Sequence, residues 1–392
     1  MAFPDDMPDS VKSNVQSLFD HGIELLNQQN YDKAFIIFDK LLEFIPDEPF
    51  TWIMRGVAQN ELGQYQDAIE SFDQALKLDP ANFDAWNRRG LAFGVLNQPE
   101  HSITSFDEAL KIDPAAYRTW SNKAHAYGLI DQFENALAST DQALRINPED
   151  DHSWRERGMA LYALERYEEA IDSFNHALTI NPDDYLCYNF KGNSFAKIQR
   201  YDEALTAFDQ ALAICPDDAD SWTSRGLSLY GLTRFEEAMN SFIKSFEINP
   251  DGFSHWYFLG DAALKIKRYE EALSILTHAV EITPFDSKAW FSRGCALIGL
   301  DRFSEAIQSL DESLAIDSDN PIGWYLHGDS CFLIGQYGKA VQSYDKAIEI
   351  DPTMVIAWDN RGTALEALGR HEEAEESFKR ANDLKHSGYK EK

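Results

Sequence analysis

Catalysis and metal binding leave signatures in the spacing of Cys, His, Ser and carboxylate residues, and none is present in this 392-residue chain. The four cysteines, Cys187, Cys215, Cys295 and Cys331, form no CxxC pair, and the ten histidines fall into no HExxH or Cys–His zinc pattern. The cysteines read as small apolar core residues in a reducing compartment. No GxSxG elbow, P-loop or GxGxxG loop occurs. The expectation is a protein with no enzymatic activity, no cofactor and no metal. What recurs instead is paired charge. Basic residues return every 34 positions at Arg55, Arg89, Lys123, Arg157, Lys191, Arg225, Arg293 and Arg361. Acidic ones stand sixteen residues ahead of such sites, at Asp39, Asp73, Asp107, Asp141, Asp209, Asp311 and Asp345. Pairing each acid with the following basic site predicts six ion pairs, from Asp39–Arg55 to Asp345–Arg361, and a pH-dependent seventh, Asp311–His327. At the same spacing Ile243 and Leu259 become apolar together, which supports this register over pairing within one period.

The same 34-residue period organises the whole chain. Nine prolines occupy it (Pro46, Pro80, Pro114, Pro148, Pro182, Pro216, Pro250, Pro284 and Pro352), as do all nine tryptophans, from Trp52 to Trp358. Leu18 and Tyr188 fill the two remaining Trp sites. Each period reads as two helices. In 151–184 apolar spacing predicts one from about His152 to Leu164 and another from about Tyr167 to Ile180. Proline ends the second helix, and Asp or Asn beside it caps the next. Glycine stands four residues past the Trp site in ten of eleven periods, with Ala124 the exception. Such a regular helix-weakening residue predicts close backbone approach between paired helices. Alanine follows twelve residues later, then commonly a large residue such as Phe38, Phe72 or Phe106.

The pattern Trp-x3-Gly, then Ala, Phe, Ala and Pro, resembles the tetratricopeptide repeat over nearly all of the chain. The resemblance implies an all-α fold, a right-handed superhelical solenoid of stacked helix-turn-helix repeats. First helices would line a concave groove that holds a peptide or short helix of a partner. Eleven units are expected, at 15–48, 49–82, 83–116, 117–150, 151–184, 185–218, 219–252, 253–286, 287–320, 321–354 and 355–388, after an N-terminal leader 1–14 and before a tail 389–392. Groove positions known from the family map onto two sets of residues. A polar set comprises Asn87, Arg88, Arg118, Asn122, His125, Arg155, Glu156, Asn189 and Asn193, whose amides and guanidinium groups suit an extended backbone or a carboxylate. An aromatic set comprises Phe190, Tyr230, Tyr257, Phe258, Phe291, Tyr325 and Phe332, which resemble anchor pockets. No three consecutive units supply the carboxylate clamp of chaperone-binding members, so chaperone C-termini are not expected partners.

The net charge of −31 opposes nucleic acid and anionic lipid and favours basic partners. No stretch resembles a signal peptide, a membrane span or a lipidation site, so no membrane insertion is expected, and the compartment is predicted to be the cytoplasm. The function expected is a non-catalytic protein–protein interaction module, an adaptor or assembly factor. The alternatives are a scaffold acting through self-association or its convex face, and a regulatory subunit of a separate enzyme. At the ends, Glu375 and Asn382 replace apolar residues and make the last helix its own polar cap. In the first helix Phe19, Ile23 and Leu26 add a second apolar stripe beside Leu18, Gly22 and Leu25. Phe3, Met7 and Val11 of the leader are expected to cover it, with a partner or a second copy of the chain as the alternative through the first repeat.

Overall fold

A computed structural model describes residues 8–252 and 254–386. The chain falls into two compact units, Met1–Arg200 and Tyr201–Lys392. Among the described residues every regular element is an α-helix. The first unit holds α1 (Asp9–Asn27), α2 (Tyr31–Phe44), α3 (Pro49–Glu61), α4 (Tyr65–Leu78), α5 (Phe83–Val95), α6 (Pro99–Ile112), α7 (Tyr117–Gly128), α8 (Phe133–Ile146), α9 (Asp151–Ala163), α10 (Tyr167–Ile180) and α11 (Tyr185–Lys197). The second holds α12 (Tyr201–Ile214), α13 (Ala219–Gly231), α14 (Phe235–Ile248), α15 (Trp256–Lys265), α16 (Tyr269–Ile282), α17 (Ser287–Gly299), α18 (Phe303–Ile316), α19 (Pro321–Leu333), α20 (Tyr337–Ile350), α21 (Val355–Ala367) and α22 (His371–His386).

Within a unit each helix packs on the next, and odd-numbered helices also touch one another, as α7 touches α9 and α15 touches α17. Those odd-numbered helices are the ones that bear the groove positions. In the fifth period the second helix matches its predicted span, and the first runs one residue earlier at each end.

The recurring residues have separate duties. Tryptophan Nε1 donates to the carbonyl oxygen six residues back, as from Trp52 to Pro46 at 2.8 Å and from Trp358 to Pro352 at 3.0 Å. This bond ties the turn between repeats to the helix that follows it. The polar residue before proline forms an Asx turn, with the Asp79 carboxylate accepting from the Ala81 amide at 3.2 Å. The capping residue lies two positions past the proline site, which Ser318 fills once: Asn82, Asp150, Asp184, Asp218, Asp286 and Asn320 each accept from an amide in the first turn of the next helix.

The periodic glycine faces chiefly a side chain of the partner helix. A Cβ on Gly158 would lie 2.5 Å from Phe174 Cε1, and one on Gly226 would lie 2.7 Å from Phe242 Cε1. At most of these sites a ring of the partner helix occupies the space of the missing Cβ, with Leu276 and Leu310 in its place at Gly260 and Gly294. The partner backbone also comes close at Gly328, where Ala340 O would lie 3.2 Å from an added Cβ. At the exceptional unit, Ala124 coincides with Thr140 at the ring position. The smaller side chain makes room for the extra methyl.

The charge ladder forms as its spacing requires. Asp39–Arg55, Asp73–Arg89, Asp107–Lys123, Asp141–Arg157, Asp209–Arg225 and Asp345–Arg361 close at 2.5–2.9 Å. The cation also reaches its own repeat, for Arg55, Arg89, Arg157, Arg225, Arg293 and Arg361 each donate to a serine hydroxyl sixteen residues on. Where Ile243 replaces the acid and Leu259 the base, both join one apolar cluster. The seventh rung forms at the expected place and is the one whose charge depends on pH. His327 Nε2 lies 3.1 Å from Asp311, but burial outweighs that carboxylate and pushes the imidazole pKa down.

The ends resolve differently from each other. Glu375 and Asn382 are exposed on α22, which closes the array with a polar face. The stripe on α1 turns inward. Phe19 is 6% exposed and packs against Phe38 and Phe50, while Ile23, Leu26 and Val11 join the same core. Leu18 on the same helix remains 37% exposed. Phe3 and Met7 lie outside the described residues.

Candidate recognition face

Four of the polar candidates, Asn122, His125, Arg155 and Glu156, converge on the first-helix face of the first unit. Helices α5, α7 and α9 each offer small residues there, and two adjoining cavities result. One, about 240 Å³, is walled by Ala124, Gly128, Ala136, Met159, Ala160 and Phe190. The other, about 390 Å³, is walled by Gly90, Gly94, Asn122, His152 and Arg155. His125, Leu129 and Glu156 line both. The cause is local: a Cβ on Gly128 would touch nothing within 4 Å, and one on Gly94 would meet only Ser102 Oγ at 3.7 Å. The two glycines sit one repeat apart and leave holes where a side chain would otherwise fill the face.

Between the cavities stands Glu156, only 8% exposed. His125 Nδ1 lies 3.2 Å from one carboxylate oxygen and His152 Nε2 lies 3.8 Å from the other. The hydrogen bond to Glu156 raises the His125 pKa above its usual value. His152 is oriented by Ser121, whose Oγ lies 2.7 Å from Nδ1. Arg155 has a different anchor, the Asp184 carboxylate at 2.7 Å, which also caps α11.

The remaining polar candidates lie around this centre. Asn87 accepts from the Thr119 hydroxyl at 2.9 Å and so braces α5 against α7, while Asn193 donates to Asn189 at 2.8 Å along α11. Arg88 Nε is buried and makes no hydrogen bond. Arg118 is exposed and lies 5.7 Å from the Tyr117 ring. Neither arginine lines a cavity. Phe190 belongs with this polar set by position, packed against Tyr162 at 5.8 Å.

In the second unit the aromatic candidates meet one another. Tyr230 packs against Phe258 at 5.4 Å, Tyr257 against Phe258 at 5.2 Å, and Phe332 against Tyr337 at 5.3 Å. Phe291 is half-buried on α17. Two carboxylates outside the aromatic set organise this face. Asp261, 4% exposed, accepts from the Tyr230 hydroxyl and from Ser292 at 3.0 Å. Asp329 accepts from Tyr325 at 3.3 Å, Tyr344 at 3.0 Å and Asn360 at 2.8 Å. Burial and the nearby Asp261 charge push the Tyr257 hydroxyl up to about 12, so it stays protonated. These tyrosines hold the helices together at least as much as they face outward. The signal for Asp261 and Asp329 was available in principle, since both sit five residues past a Trp site, a groove position.

No three His, Cys, Asp or Glu side chains are placed to hold a metal ion among the described residues, and no helix there is long and apolar enough to cross a membrane.

Family comparison accords with this architecture. A profile described as TPR repeat matches residues 56–95, 192–232 and 328–369. Profiles described as tetratricopeptide repeat match 130–186, 223–287, and 83–115, 287–320 and 355–385. No curated protein matches the sequence. Among solved structures, a tetratricopeptide repeat protein from Parabacteroides merdae is 15% identical, covering 64% of this chain and 99% of its own at a TM-score of 0.50. The C-terminal part of a TPR repeat-containing protein from Cytophaga hutchinsonii is 18% identical, covering 60% and 96% at 0.50. Yeast Tom70 is 16% identical and covers 95% of this chain and 92% of its own, at a TM-score of 0.37.

Proposed function

The chain belongs to the tetratricopeptide repeat family, whose members generally mediate protein–protein contacts, and we propose that it is a non-catalytic adaptor that binds a segment of a partner protein at the two cavities of its first unit. The observation that supports this reading is the buried Glu156, exposed to both cavities on a face otherwise walled by small and apolar side chains. Preformed holes with one or two fixed polar groups are what a ligand's side chains need for anchoring and orientation. The half-buried asparagine and histidine groups beside them can pair with a peptide backbone. The four free thiols support a reducing compartment such as the cytoplasm.

The aromatic face of the second unit is the weaker candidate because its rings already fill one another's contacts. Partner capture from source lysate separates the two. Gly128→Leu places a side chain in the smaller cavity, where the missing Cβ has open space. That variant is expected to melt like the wild type and lose the partner. Tyr257→Ala combined with Phe291→Ala is expected to lower the melting temperature while retaining the partner at permissive temperature. Retention by Gly128→Leu would move recognition away from the first unit's cavities.

A further inference from the structure

Glu156 is a carboxylate already stripped of most of its water, and no lysine or arginine among the described residues pairs with it directly, the charge of Arg155 acting on it only at longer range. Both groups in contact with it are histidines, and although the bond to Glu156 raises the His125 pKa, the positive charge they can offer depends on pH and is not permanent. The nearest permanent cation lining the cavities, Arg155, is held by Asp184 at 2.7 Å. Arg88 and Arg118 line neither cavity. A buried carboxylate in this situation gains most from a cation brought by a ligand, because its own desolvation precedes binding. The surrounding field agrees in sign, with a net charge of −31 over the chain. Beside Glu156 the smaller cavity offers Ala124, Met159, Ala160 and Phe190, a lining that takes an apolar side chain.

From this juxtaposition we infer that the partner segment carries a lysine or arginine next to an apolar residue. The apolar side chain fills the 240 Å³ cavity and the cation meets Glu156 at its rim. This deepens the function proposed above and rests on the first unit's face being the binding site. It assigns the partner a chemistry opposite to that of an acidic C-terminus.

A random peptide library displayed on phage and selected on the full-length chain tests it. The expected outcome is enrichment of apolar–basic neighbours. For an enriched peptide, replacing its lysine by uncharged norleucine should weaken binding about tenfold or more, as loss of a charge-assisted hydrogen bond does. Glu156→Gln should produce a similar loss and remove the difference between the two peptides, while Gly128→Leu should abolish binding of both. The norleucine comparison needs no protein variant and stands even if Glu156→Gln fails to fold. Enriched peptides that lack a basic residue, or that ignore the norleucine exchange, yet are lost in Gly128→Leu, would overturn this inference and leave the adaptor site intact. Peptides that bind Gly128→Leu undiminished, or a selection that enriches nothing over that variant, would overturn both.

Discussion

Arg225 reaches in three directions at once. Its Nε donates to Asp209 of the preceding repeat at 2.8 Å, an Nη to Ser241 of its own repeat at 2.8 Å, and its guanidinium lies 5.7 Å from the Trp222 ring. The arginine side chain is 22% exposed and the aspartate 56%, so the cation has more to lose. Arg225→Ala is expected to destabilise by about 2 kcal/mol and Asp209→Ala by about 1 kcal/mol, with a coupling near 1 kcal/mol in the double-mutant cycle. Denaturant unfolding measures all three, and zero coupling would reduce the ladder to a solvated stripe. His327 makes a prediction of the opposite sign with respect to charge. Burial holds its pKa below the ordinary 6.5 despite Asp311, so the unfolded chain takes up a proton that the folded one refuses. Stability from this group is complete above about pH 6.5 and falls as the pH drops below it. Melting temperatures from pH 8 to pH 5 should decline more for the wild type than for His327→Gln; equal slopes would contradict the assignment.

At the scale of helices and turns, two backbone features set the repeat. Gly158 accepts the Phe174 ring with no room for a methyl group, so Gly158→Ala is expected to cost about 1–3 kcal/mol, read from the unfolding midpoint. The turn after each odd-numbered helix contains one residue in the left-handed region, and these residues recur on the same 34-residue period. Three are glycines, Gly63, Gly335 and Gly369, while eight are not, among them Thr233 at φ 59°. A β-branched residue there is strained, and Thr233→Gly should raise stability by about 1 kcal/mol. Legibility follows from whether one residue type repeats. The Trp, Pro and Gly positions and the Asp–Arg spacing were readable because a fixed contact demands a fixed chemistry. The left-handed site was not, since Gln, Asn, Asp, Glu, Thr and Lys all occupy it and only the backbone shape is shared.

For the molecule as a whole, the helical architecture was readable, and so were Asn122, His125, Arg155, Glu156 and Phe190 as candidates, but not the cavities that open between them. Periodicity predicts stacked helix pairs because every repeat must bury the same stripe against its neighbours. The cavities arise from what is missing, side chains at Gly94 and Gly128, and from Glu156 turning inward, none of which a residue type announces. Aromatic residues drew attention as anchors, yet Tyr230, Tyr257 and Phe258 spend their surface on one another. The most direct measurement is site-specific photo-crosslinking in the source cells, with a benzophenone side chain placed at Leu129, between the two cavities, and separately at Phe291. The account predicts that one partner protein is captured from Leu129, and that Gly128→Leu in the same chain removes the product. Capture from Phe291 alone, or from Leu129 with undiminished yield in the Gly128→Leu background, would contradict it.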